Sequence, residues 1–193
     1  MAFGTWLAGW ATNDDVNASE FAKGVGCIFD QTLTAAAATI EIPNIIQAYG
    51  HLLLVVYGRG DSAAVAVGLQ ARFNNDSGGN YDTQVVFGAA ATAGATEGFA
   101  ATSAQIGTIP ANTAGANLFG EAEALIPHYA GTVNNKTLVS SYGYKTGVAT
   151  GNLVSARFAG FWRSNVAITR ITILPAAGNL TAGTRASLYV MGF

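Results

Sequence analysis

Side chains along this chain alternate with a period of two, and that alternation excludes most architectures. Across residues 64–73, Val65, Val67, Leu69, Ala71 and Phe73 share one face, and Ala66, Gly68, Gln70 and Arg72 share the other. A strand buried on one side has this pattern, because successive side chains point to opposite faces. The pattern returns over 153–162, where Val154, Ala156, Phe158, Gly160 and Trp162 oppose Ser155 and Arg157. Ala186, Leu188 and Val190 likewise oppose Arg185, Ser187 and Tyr189, and Ile171 and Ile173, with Thr169, oppose Arg170 and Thr172. Further strands are expected at 39–42, 51–58, 82–87, 105–109, 117–126 and 137–144. The run 52–57 is apolar without alternation, which predicts a central strand covered on both faces. About ten strands separated by turn residues predict an antiparallel sandwich or barrel, the way jelly rolls are built.

Helix is scarce. Asn17 can cap a single turn with Glu20 reaching back, and Gly24 would stop it. Residues 88–104 and 111–116 are almost entirely Ala, Gly, Thr, Ser and Asn. Such stretches read as long loops, which are mobile or else serve close contact with a partner.

Composition narrows the function. Only 10% of the 193 residues are charged and 50% are apolar, with a net charge of −2. The chain folds, since disorder needs the reverse balance, but it has few charges to keep a lone subunit apart from its neighbours. A surface largely covered by partners is the better explanation. No basic run occurs, so no nucleic acid is expected as a partner. Residues 1–11 are apolar but too short to span a bilayer, and they lack a basic flank, so neither a membrane nor a leader is expected. Phe3, Trp6, Leu7 and Trp10 instead mark an N-terminal arm that packs on something. The single cysteine, Cys27, excludes an intrachain disulfide, and among Val25, Gly26, Ile28 and Phe29 it reads as a buried, inert thiol.

Candidate chemistry is thin. His51 and His128 are too few for a zinc site, and no cofactor or metal is expected. No nucleophile elbow, phosphate loop or dinucleotide fingerprint occurs. Glu121 and Glu123 share one strand face and point the same way, whereas a glycosidase needs carboxylates on opposite sides of a bond. No catalytic residues are therefore assigned. The segment 74–82 (NNDSGGNYD) is rich in oxygen ligands but lacks calcium-loop spacing, and it reads as a backbone turn. Tyr142 and Tyr144 share a face with Ser140; they suit packing at an interface or, as in a carbohydrate-binding module, a sugar.

Three segments together carry a family resemblance. RFNNDSGGNYDTQ at 72–84 resembles a strand–turn–strand motif of structural proteins of tailed bacteriophages. FWRSN at 161–165 leading into ITRITI at 168–173 is similar to the same proteins. So is the ending LTAGTRASLYVMGF at 180–193. Upstream, IEIPNIIQAYGHLLLVVYGRGD looks like their first core strands. The resemblance covers roughly residues 40–193 and leaves the N-terminal arm over 1–35 outside the match. It implies a virion protein with a jelly-roll-like β-sandwich, expected over residues 36–193. It implies a homo-oligomer, expected to be a trimer, that decorates and cements the phage head against the major capsid protein. A tail or fibre component is the alternative. It implies assembly in the bacterial host cytoplasm and brings no catalytic residue.

Overall fold

The computed structural model describes residues 24–147 and 153–192. They form twelve β-strands and no helix. In chain order the strands are β1 (Val25–Thr32), β2 (Ile40–Ile42), β3 (His51–Gly58), β4 (Ala66–Phe73), β5 (Tyr81–Ala89) and β6 (Thr92–Ala101). There follow β7 (Ala104–Pro110), β8 (Gly120–Pro127), β9 (Lys136–Lys145), β10 (Leu153–Trp162), β11 (Ile171–Pro175) and β12 (Arg185–Met191). They pair into an eight-stranded sheet, β1-β12-β3-β8-β9-β10-β5-β6, and a four-stranded sheet, β2-β11-β4-β7. Every pairing is antiparallel. The chain is an antiparallel β-sandwich, as the alternation predicts.

Its connectivity is that of a jelly roll with one insertion. The small sheet and the strands β3, β8, β5 and β6 would make the two four-stranded sheets of a jelly roll. The β9–β10 hairpin, however, stands between β8 and β5, and β12 and β1 extend the sheet beyond β3. At ~4.8 Å per strand, the hairpin moves β5 and β6 outward by ~10 Å.

The core lies between the sheets. Leu52, Leu54 and Val56 of β3, Leu69 and Phe73 of β4, Ile106 and Ile109 of β7, and Leu188 and Val190 of β12 are fully or almost fully buried. Side chains of this size each contribute ~1.5–3 kcal/mol on burial.

Several expectations need correction. Residues 52–57 do not lie under cover on both faces: Leu53 and Val55 are half-buried and Tyr57 is 52% exposed. The strand is central in its sheet, but among the described residues no second layer covers its outer face. The stretch 88–104 is not a loop; it holds the end of β5, all of β6 and the start of β7. The strand count is correspondingly above ten. Residues 25–32, within the segment expected to be an arm, form β1 and pair with β12. Residues 111–116 do lie between strands, and Arg59 ties them down. Its guanidinium donates to the carbonyls of Gly115 at 2.7 Å, Ala114 at 3.0 Å and Leu118 at 3.0 Å. The expected turn over 17–24 falls almost wholly outside the described residues.

Candidate functional site

A sheet eight strands wide cannot be covered by a sheet of four. The small sheet ends at β7, which lies over β8, β9 and β10. Its close approach is set by small residues. A Cβ at Gly107 would sit 2.8 Å from the Cβ of Ala122, so only glycine lets β7 lie this near β8. Ser140 on β9 donates its hydroxyl to the Ile106 carbonyl and clips the two sheets together there.

Beside β7, among the described residues, the inner face of the large sheet carries an open groove of about 250 Å³, although Val85, Tyr142 and Phe158 in its lining are themselves buried. Phe87, Tyr142, Tyr144 and Phe158 make its aromatic floor, with Val85, Ala89 and Val154 beside them. Alternation places them there: each points to the same face as the buried residues two positions away on its strand. Tyr142 stacks on Phe158 (centroids 5.1 Å, planes 21° apart) and on Tyr144 (6.1 Å, 10°). Phe87 lies across β6 at Gly94, where a Cβ would meet its ring at 2.6 Å.

The groove carries no charge. Among the described residues its polar side chains are Thr96, Gln105 and the two tyrosines. Burial pushes the Tyr142 phenol up against the opposing pull of a hydrogen bond with Thr108. Burial, then the neighbouring Tyr142, pushes Tyr144 up as well. Both stay neutral at any physiological pH. The groove suits a stacked sugar poorly, because Phe158 and Tyr144 already stack on Tyr142.

The other candidate residues fall elsewhere. Phe3, Trp6, Leu7 and Trp10 lie outside the described residues. Glu121 and Glu123 are exposed on the outer face of β8, opposite Tyr57 and Val55. His51 and His128, distant in sequence, meet at the β3–β8 end with perpendicular rings 5.4 Å apart. Among the described residues no group of three or more His, Cys, Asp or Glu could hold a metal ion. Cys27 is exposed rather than buried. It sits on the edge strand β1, where a bulge between Cys27 and Phe29 interrupts the pairing, and its thiol donates to the Phe29 carbonyl at 3.3 Å.

The segment 74–82 is a turn whose oxygens already have donors. Asn74 and Asn75 take the left-handed conformation (φ 52° and 60°) that asparagine tolerates well. Asp76 accepts from the Gly78 amide at 2.9 Å, Asn80 at 2.9 Å and the Trp162 indole at 2.7 Å. Asp82 accepts from both Arg163 at 2.9 Å and the Ala100 amide at 3.0 Å. Beneath the turn the Tyr81 hydroxyl donates to the Asp76 carbonyl at 3.1 Å, and burial raises its phenol to about 12.

Of the groove, only Tyr142 and Tyr144 were legible as candidates. Phe158 is buried like any core residue, and Phe87 is half-buried between Val86 and Gly88. Which strands the second sheet reaches decides such exposure, and local periodicity does not carry that information.

No family model and no curated protein matches the chain. A cryo-electron-microscopy structure of Mud Crab Dicistrovirus is similar over 99% of this chain and 76% of that one, at 10% identity and a TM-score of 0.24. A likeness that slight carries no argument about function.

Proposed function

We propose that this chain is a non-enzymatic structural protein of a virion. Within that class we favour a head-decoration role, in which a homotrimer seats on the major capsid protein and cements the shell. The observation that carries the proposal is the scarcity of charge, 10% of the residues against 50% apolar. Such a chain has little to keep a lone subunit apart from its neighbours, and Tyr57, Val86, Leu125 and Val139 stand exposed on the large sheet. The resemblance of residues 72–84, 161–173 and 180–193 to tailed-bacteriophage structural proteins supports a virion as the setting. Capsid lattices offer three-fold positions, which favours the trimer, and closed cyclic symmetry is the usual way for identical subunits to cover such surfaces.

Light scattering on the purified protein tests the stoichiometry. Immunogold labelling of particles separates head from tail: gold over the head supports decoration, and gold confined to the tail replaces it with the tail-component alternative. Particles lacking the chain should lose their genome at a lower temperature than complete ones. Equal thermal stability of the two would remove the cementing role.

A further inference from the structure

We infer that the outer face of the large sheet docks on the same face of a second copy of this chain, about a two-fold axis running along β9. The inference goes beyond a role in a virion, since it needs only two copies of the protein.

The two outer faces of the sandwich differ in polarity. On the small sheet, Gln70 and Arg72 point outward between the buried Leu69, Ala71 and Phe73, and Glu41 is held by Arg170 and Thr172. On the large sheet the outward residues include Tyr57, Val86, Leu125 and Val139, all exposed. The large sheet is therefore the face that gains by being covered.

Its charges select the partner. Among the described residues the ion pairs are Arg163–Asp82, Arg170–Glu41 and Arg185–Asp30. None involves Glu123 of β8 or Arg157 of β10, both exposed. The ladders set Val55, Glu123, Ser141, Arg157 and Val86 in one row across β3, β8, β9, β10 and β5. Glu123 and Arg157 thus flank Ser141, one strand to either side and ~10 Å apart. Half a turn about an axis along β9 exchanges the two sides of that row. It lays Glu123 of each copy over Arg157 of the other, and Val55 over Val86. The alternative in-plane axis, across the strands, lays Glu123 on Glu123 and Arg157 on Arg157, and like charges so placed repel. Stacked sheets lie ~10 Å apart, a gap that a glutamate and an arginine reaching toward each other can close.

Shape and size agree with the charges. In the two adjacent rows the same half-turn lays Tyr57 over Gly88 and Leu125 over Ala159, each time a bulky side chain over a small one. Eight strands at ~4.8 Å spacing, each ~27 Å long, offer ~1,000 Å² of face, against the ~800 Å² per partner of a stable interface. Joined this way, two lone subunits make a closed dimer and two trimers a closed hexamer.

Charge reversal tests the inference on the full chain. Glu123→Arg and Arg157→Glu each place like charges across the proposed contact. Mixing the two variants restores opposite charges at both facing positions, which no effect within one chain can do. Sedimentation equilibrium over a concentration series measures association, and circular dichroism melts confirm that each variant is folded. The parent should double in mass with concentration. Each variant alone should dissociate about ten-fold more readily or worse, and their equimolar mixture should return to within about three-fold of the parent. A parent that stays one subunit, or one three-fold ring, at every concentration would overturn the inference. So would variants that match the parent, or a mixture that associates no better than either variant. No particle is involved, so a negative result removes this contact without bearing on the virion role.

Discussion

Trp162 donates its indole N–H to the Asp76 carboxylate at 2.7 Å, joining the end of β10 to the turn after β4. Asn80 and the Gly78 amide complete the donor set. Burial pulls the Asp76 carboxyl upward, but these hydrogen bonds outweigh it and hold the group below its ordinary 3.8. Removing the acceptor strands a buried indole donor, so Asp76→Ala should destabilise by about 1–3 kcal/mol. Asp76→Asn, which keeps an oxygen, should cost less. Urea unfolding of the three proteins checks the order. Because the oxygens are filled by N–H donors, chelator and added calcium should leave the melting temperature of the parent unchanged.

Asp30 makes a different prediction, about pH. Hydrogen bonds from Arg185 and then Ser187 lower its carboxyl to about 2. A carboxylate depressed on folding contributes stability above its unfolded value, near 3.8, and loses it as pH falls through the folded value. The melting temperature should therefore decline between about pH 4 and pH 2, and Asp30→Asn should make that decline shallower. Both partners are substantially exposed, so the effect should be small and should shrink in high salt.

The β5–β6 hairpin turns at Ala90, which has a φ of 53°. An L-residue with a Cβ is strained in that conformation, and glycine is not. Ala90→Gly should stabilise the protein by about 0.5–1 kcal/mol, read as a rise in unfolding midpoint with no change in denaturant slope. A loss of stability would mean that this turn does not hold the left-handed conformation.

What the sequence shows of this fold divides along a physical line. Strands that bury one face, such as β4 and β10, were legible because burial imposes alternation. β6 was not: its run TAGATEGFAA has no buried face, and alanine and glycine are poor strand formers. Its pairing with β5, not its side chains, makes it a strand. Tyr142 and Tyr144 were visible as a pair on one face, but their groove follows from inserting β9–β10 between β8 and β5. That insertion is a matter of topology, which residue pattern alone does not encode. The proximity of His51 and His128 has the same origin.

Glu121 and Glu123 provide a check on the proposed non-enzymatic role. Both are exposed on the outer face of β8, so the double substitution to Gln should change stability by no more than about 0.5 kcal/mol per site. Hydrolytic activity in the parent that vanishes in the double variant would contradict a purely structural role.

The most direct measurement of the central claim is quantitative mass spectrometry of virus particles purified through a density gradient from a culture expressing this chain. A virion structural protein should sediment with the particle peak, in fixed ratio to the major capsid protein across its fractions, and should survive repeated banding. A chain left in the soluble fractions, or one whose ratio varies across the peak, would contradict the account.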